Sequence, residues 1–316
     1  MPRTALLVAL VSALLTVSCG MVVGTAKPVP QVPALYVDPD SPARTALTAD
    51  PGDAAAARIA AVPHARWFTE SIPVSGITSA VSSYVGGAAA AKAMPVLVLY
   101  AIPGRDCGSF SGGGFGTGSE YAEWVRGVRT GIAGQPAMVI VEPDALTGMD
   151  CLDTDARDAR YAQLSDAVAQ LQADPHTLVY VDGGHSRWLS ATELANRLRK
   201  VGARGFSLNV SNFFTTAEEQ GYGEQVAALL DGATYVVDTS RNGQGPAPDG
   251  PFNWCNPPGR GLGTLPTTDT GAPHDAANLW VKEPGQSDGQ CDRGDPSSGT
   301  WFPSYAAGLV ARAAGD

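Results

Sequence analysis

Short runs that are apolar at nearly every position alternate along this chain with longer stretches whose apolar residues recur at helical spacing. The apolar runs stand at 96–102, 138–141, 177–181, 205–208, 234–237 and 279–281. Continuous rather than alternating hydrophobicity is the mark of strands buried on both faces, as in a parallel sheet covered by helices. Helices are predicted over 119–132, 155–172, 190–200, 216–230 and 303–314. Thr154 and Ser190 read as N-caps, the second with Glu193 at capping-box spacing. Repeated strand-then-helix order predicts a parallel α/β sheet, and the number of units favours a barrel of seven or eight strands.

The residues just past each apolar run are polar. The run at 96–102 leads into Arg105-Asp106, that at 138–141 into Glu142-Pro143-Asp144, and that at 177–181 into Asp182-Gly183-Gly184-His185. Asn209, Asp238-Thr239-Ser240-Arg241 and Lys282 follow the remaining three. An aspartate after a strand is an ordinary turn or capping residue, and any single one carries little weight. In a parallel barrel, however, all strand C-termini share one face, so six such ends in succession aim their groups at one place.

Composition narrows the chemistry. Hydrophobic residues make up 44% of the 316 and charged residues 16%, enough apolar material for a large core. The net charge of −10 gives no electrostatic footprint for nucleic acid or an anionic membrane surface. There is no CxxC, no GxSxG elbow, no GxGxxG after the first strand and no phosphate-binding Gly-rich loop ending in Lys-Ser/Thr. No metal and no cofactor are expected. What remains is a set of carboxylates with nearby aromatics. Two carboxyl groups across a cleft are what cleavage of a glycosidic bond needs: one protonated to give to the leaving oxygen, one ionised to activate water. Trp67, Tyr100, Trp188 and Trp254 lie beside the polar ends and could stack on sugar faces, whereas Trp124 and Trp280 fall inside predicted elements and read as core.

Arg3 followed by an apolar run to Val17 and small residues has the form of an export signal over 1–26, with a Pro-rich spacer at 27–32 and one catalytic domain over 33–316. The protein is therefore expected to be secreted. Thr16-Val17-Ser18-Cys19 resembles a lipoprotein box, which offers anchoring through Cys19 as the alternative. Excluding Cys19 leaves Cys107, Cys151, Cys255 and Cys291, an even set suited to an oxidising compartment; four cysteines allow three pairings.

Seven runs together resemble glycoside hydrolase family 6, the inverting β-1,4-glucanases: LYAIPGRDCGSFSGGG (99–114), VIVEPDAL (139–146), VYVDGGHSRWL (179–189), RGFSLNVSNF (204–213), YVVDTSRNGQGP (235–246), NWCNPPGRGLG (253–263) and LWVKEPGQSDG (279–289). They stand in family order and span the chain from YVDP at 36–39 onward. The resemblance implies a distorted (β/α) barrel of about seven parallel strands with the cleft at the strand C-terminal face. It implies an endo-acting enzyme on cellulose-like β-1,4-glucans or cello-oligosaccharides, with no cofactor, no protein partner and a monomeric state. By motif position Asp144 resembles the proton donor, Asp106 the carboxylate that supports it, and Asp288 the residue proposed as base, acting directly or through water. Asp182 resembles a further active-site carboxylate and Tyr100 the tyrosine beneath the distorted ring. Trp67, His185, Trp188, Asn209, Trp254, Lys282 and Gln286 fall at sugar-binding positions. The disulfides of bacterial members correspond to Cys107–Cys151 and Cys255–Cys291.

Two departures stand out. Gln286 replaces a frequent family glutamate, removing a like charge beside Asp288, whose pKa is therefore expected to fall. Ser111 precedes three glycines where the family has a pair, and it is given no role. Only 13 positions separate Asp288 from Trp301, too few to roof a tunnel, so an open cleft and internal cutting are expected. The departures also motivate an alternative, a weakly active or non-catalytic glucan-binding protein at the cell surface. For the leader, mass spectrometry of the exported protein is expected to give a free N-terminus near Lys27; a diacylglyceryl adduct on Cys19 would instead establish the anchored form.

Overall fold

The computed structural model describes residues 34–314 together with Met1 and Pro2; the rest of the leader with Cys19, and the spacer at 27–32, lie outside the described residues. Seven strands pair in chain order and all in parallel: β1 (Arg66–Thr69), β2 (Val96–Tyr100), β3 (Ala137–Val141), β4 (Thr177–Asp182), β5 (Gly205–Leu208), β6 (Thr234–Asp238) and β7 (Asp275–Leu279). Side chains alternate across the curled sheet as strand geometry requires. Leu97, Leu99, Val139, Val141, Val181, Phe206 and Val237 face the helices, while Val96, Val98, Met138, Ile140, Tyr180 and Val236 fill the interior. The two edges meet without a ladder. Ala65 donates its backbone N–H to Trp280 O at 2.9 Å, and the Trp67 indole donates to Val281 O at 2.8 Å. This barrel is thus distorted by an incomplete seam between β1 and β7.

The helices are α1 (Pro42–Ala49), α2 (Ala54–Ala60), α3 (Val74–Ala90), α4 (Gly118–Ile132), α5 (Thr154–Gln172), α6 (Ala191–Lys200), α7 (Thr216–Leu229) and α8 (Pro303–Ala311). Polar side chains cap most of their starts: Ser41, Asp53, Thr117, Asp153, Ser190 and Thr215 each accept a first-turn N–H. No helix of the described residues is long and apolar enough to cross a membrane.

Several expectations are corrected. The N-cap of α5 is Asp153, not Thr154: the helix begins one residue earlier, and the Asp153 carboxylate accepts from Ala156 N at 2.9 Å. Ser190 does cap α6, but Glu193 turns its carboxylate to Arg197 at 2.7 Å instead of closing the box. The apolar run at 279–281 is not the seventh strand, which ends at Leu279; Trp280 is buried just beyond it, where the chain crosses to β1. The strand itself, Asp-Ala-Ala-Asn-Leu, hides two polar residues, and Oδ2 of Asp275 accepts from Gln220 at 3.0 Å. Neither β1, with only Phe68 fully buried, nor α1–α3 was marked by an apolar run. Helix α8 stops at Ala311.

Two disulfides, Cys107–Cys151 and Cys255–Cys291, join the loops above the strand ends, the pairing the family resemblance implies. The second closes a separation of 36 residues. Replacing Cys255 and Cys291 together by serine is expected to cost about 3–4 kcal/mol in the chain-entropy account, read as a lowered midpoint in urea unfolding; an unchanged midpoint would contradict it.

Candidate active site

The loops leaving the strands carry backbone conformations that non-glycine residues rarely adopt. Asp106 (φ 55°), Glu142 (φ 52°), Asp144 (φ 68°), Asn209 (φ 67°) and Ser211 (φ 60°) are all left-handed. Such conformations persist only where surrounding contacts over-determine them, and they cluster at functional sites. The contacts are present. Beyond β2, Arg105 donates to Tyr100 O at 2.5 Å, to Glu70 at 2.5 Å and to Ser111 O at 2.8 Å, and its guanidinium lies 4.3 Å over the Tyr100 ring. Glu70 also accepts from Gly114 N at 3.0 Å, so the end of β1 grips the loop after β2. Gly114 is at φ 93° with its α-carbon against the carbonyl of Ile102, a place with no room for a side chain.

Three carboxyl groups converge where β2, β3 and β4 end. Asp182 is buried, and its Oδ2 accepts from the N–H groups of Asp144 at 3.0 Å and Gly184 at 3.1 Å. Burial raises the Asp182 carboxyl to about 6 against those stabilising hydrogen bonds. Asp144 is held well above the usual carboxylate range, first by desolvation and then by the charges of Asp182 and Asp106. Its carboxyl accepts no hydrogen bond from the described residues, so nothing local favours the ionised form. Burial also raises Asp106, less strongly opposed by Ser111 N–H at 2.9 Å and by Arg105. One more carboxyl, Glu142, is wholly buried, lifted to about 7 by desolvation, and accepts from Ala101 N and Ile102 N.

Asp288 has the opposite environment. Burial alone would raise its pKa, but Arg241 at 2.7 Å and Lys282 at 3.4 Å outweigh that and hold it below the usual carboxylate value. Asn256 adds a backbone N–H at 3.0 Å to Oδ2 and accepts from Asp288 N at 2.7 Å. The low value of Asp288 comes from these two cations. Arg241 is fully buried, donates also to Ser211 O and lies 4.4 Å from the Phe213 ring centre. Asp238 fixes this quarter: its carboxylate accepts from Ser211 N, Ser240 N, Val281 N and Lys282 N, joining the ends of β5, β6 and β7. Arg241, Asp238 and Glu70 had no role from sequence; for Asp238 and Arg241 the only signal was a position at a strand end, which gives no partner, and Glu70 follows a strand that no apolar run marks.

The two carboxylate environments are bridged by aromatics. The Lys282 ammonium lies 6.0 Å from the Trp67 ring centre, and Trp67 packs edge-on against Tyr100 at 5.1 Å. Burial, then Asp144 and Asp106, raise the Tyr100 phenol, which stays neutral. Gln286 is half-buried and shares with Trp67, Asp38, Asp40, His64 and Glu283 a cavity of about 140 Å³. A larger cavity of about 210 Å³ opens at the other end of the barrel, beside Thr177, Arg204 and Gly205, away from these carboxyl groups. Trp188 and Trp254 are open to solvent, 37% and 41% exposed. His185 sits between Trp188 at 5.4 Å and Phe214 at 4.4 Å, and burial lowers it to about 4, leaving a neutral ring at ordinary pH. Asn209 departs from expectation: it is fully buried, donating to Phe214 O and Asp238 O and accepting from Phe214 N, so it braces the loop and does not reach the cleft surface. Among the described residues no cluster of His, Cys, Asp or Glu is spaced to hold a metal ion.

The family model for glycosyl hydrolases family 6 matches residues 32–313. This chain belongs to that family. It is 43% identical over 283 residues to endoglucanase A of Cellulomonas fimi, covering 88% of this chain but 61% of that enzyme. It is 42% identical over 300 residues to endoglucanase 1 of Streptomyces halstedii, covering 90% and 91% respectively. Its fold is similar to that of an endoglucanase of Mycobacterium tuberculosis solved with methyl-cellobiosyl-4-deoxy-4-thio-β-D-cellobioside, with a TM-score of 0.87, 51% identity, and 89% of this chain and 97% of that one covered. The family 6 architecture thus agrees with the distorted parallel barrel built above.

The electrostatic division is measurable. In a carboxyl-selective ¹³C NMR titration Asp288 is expected to titrate below the ordinary aspartate range and Asp144 above it. Replacing Lys282 by methionine removes a cation from Asp288, so its midpoint is expected to move upward; no movement would show that the ammonium does not act on it.

Proposed function

We propose that this protein is an exported, monomeric endo-β-1,4-glucanase that hydrolyses internal bonds of cellulose-like glucans with inversion. The observation that carries the reading is the pair of opposite carboxyl environments. Asp144, crowded by Asp182 and Asp106 and free of stabilising donors, keeps its proton. Asp288, beside Arg241 and Lys282, stays ionised. Titratable groups pushed apart in this way are suited to acid and base roles at one pH.

In the proposed reaction Asp144 protonates the leaving glycosidic oxygen while water attacks the opposite face of the sugar. Asp288 draws the proton from that water, directly or through a second water. Asp106 supports the acid by disfavouring its ionisation and helps order the water. Asp182 holds the Asp144 backbone through its N–H and adds the second negative neighbour. Tyr100, neutral and buried beneath the cleft, backs the ring undergoing reaction. Trp67, Trp188, Trp254 and His185 offer flat faces to sugar rings, Lys282 and Gln286 offer donors, and Asn209 acts through the loop it braces. The segment after Asp288 folds back on itself, with Ser287 N donating to Thr300 O at 2.8 Å and Gly299 N to Ser287 O at 2.9 Å. That compact return supports an open cleft and internal cutting. The two disulfides fit a protein working outside the cell.

A general acid contributes about 10²–10⁴-fold. Asp144→Ala is expected to lower reducing-sugar release from carboxymethylcellulose by that order while leaving cello-oligosaccharide binding. Undiminished turnover would refute the assignment of the acid. Tight binding by the wild type with no hydrolysis on any β-glucan would establish the binding-only alternative.

A further inference from the structure

The loop bearing Asp106 has three consecutive left-handed residues, Asp106 (φ 55°), Cys107 (φ 49°) and Gly108 (φ 78°). Its base is tied down by the Arg105 clamp and by the disulfide to Cys151. Its tip is tied down differently. The Phe110 ring lies 5.7 Å from that of Phe252 and 6.1 Å from that of Trp254. Beneath it is Gly289, the residue after Asp288: a methyl group placed on Gly289 would lie 2.5 Å from the Phe110 Cβ. Only a bare backbone there lets the phenylalanine come down. Next to it, the Ser111 and Ser298 hydroxyls are 2.8 Å apart, a second link between the same two segments. Phe110 touches none of the reacting groups assigned above, yet it joins the loop of one to the segment of another.

We propose that Phe110 is a positioning residue: seated on Gly289 against Phe252 and Trp254, it fastens the Asp106 loop to the Asp288 segment and so sets where Asp106 stands relative to Asp144. The inference rests on the reading of Asp144 as the acid. Asp144 faces Asp106 and Tyr100 from the β2 end and Asp182 from the β4 end, with Glu142 two residues earlier in its own loop. Asp106 itself faces Arg105. The tip also carries Ser111, whose N–H holds the Asp106 carboxylate at 2.9 Å; loosening it lets that carboxylate turn away although its backbone stays anchored, and removes one of the two negative neighbours that keep Asp144 protonated. Asp144 then loses its proton at lower pH. A role confined to stability would leave that titration in place.

The test compares kcat and KM across pH for the full chain on a soluble β-1,4-glucan, as wild type, Phe110→Ala, Phe110→Tyr and Asp144→Asn. Rates are taken below each variant's melting transition. Small displacements of reacting groups are expensive in rate, so Phe110→Ala is expected to lower kcat by about tenfold or more while KM changes by about threefold or less. The basic limb of its pH profile is expected to move toward acid. Phe110→Tyr keeps the ring and is expected to restore both kcat and the limb. Should Phe110→Ala fail to fold, Phe110→Val is judged by the same criteria. Wild-type kcat and an unmoved basic limb in the truncated variant, with Asp144→Asn inactive, would overturn this inference alone; an active Asp144→Asn would overturn the assignment of the acid beneath it.

Discussion

The hydrogen bond from the Asp144 N–H to the buried carboxylate of Asp182 is the contact on which the site turns. It holds Asp144 in a left-handed conformation that an aspartate would not keep unaided. It also brings a second carboxyl close in a desolvated place, where two negative charges cannot both be maintained cheaply. Backbone geometry and proton affinity are therefore set together. The barrel makes the contact available: β3 and β4 are parallel neighbours in register from Ala137↔Thr177 to Val141↔Val181, so their C-terminal loops must emerge side by side.

The far side of the site is the electrostatic counterpart. Arg241 is wholly buried, and an unpaired guanidinium there would be prohibitive; Asp288 is its partner at 2.7 Å. That pairing keeps Asp288 ionised despite its burial. Asp238, accepting four backbone N–H groups, stitches together the loops that deliver Arg241, Ser211 and Lys282. The proposed division of labour between acid and base thus follows from where the fold places its cations: Lys282 and Arg241 stand with Asp288, while on the Asp144 side Arg105 is engaged by Glu70 and Arg160 by the carbonyls of Pro103, Gly104 and Ala145.

Much of this was legible beforehand because the relevant signals are local. Strands β2 to β6 are nearly continuous apolar runs, and the polar residues at their C-terminal ends stand out by position. The parts that were not legible depend on tertiary partners. Strand β1 contains Arg66 and Thr69, and β7 contains Asp275 and Asn278; Arg66 is held by Asp38, Thr69 meets Ser71 and Asp275 accepts from Gln220, partners that no run of apolar residues announces. Asn209 stands where the resemblance implies sugar binding, yet its amide is engaged by Phe214 of its own loop and by Asp238 O at the end of β6. Glu70, Arg241 and Phe110 take their meaning from residues 35, 47 and 179 positions away respectively, Arg105, Asp288 and Gly289, and spacing of that kind carries no pattern. The motif resemblance implies the roles proposed for Asp144 and Asp288; the opposite surroundings of their carboxyl groups give a physical reason for the two to differ.

The central claim is that a protonated Asp144 and an ionised Asp288 act together on opposite faces of one sugar, with water attacking directly. Proton NMR of the anomeric region, recorded from the first moments of hydrolysis of a β-1,4-linked cello-oligosaccharide, tests this directly. The account requires the newly formed reducing end to appear first as the α-anomer and only later to mutarotate. Initial appearance of the β-anomer would mean a covalent, retaining route, and the acid–base division between these two aspartates would then be wrong.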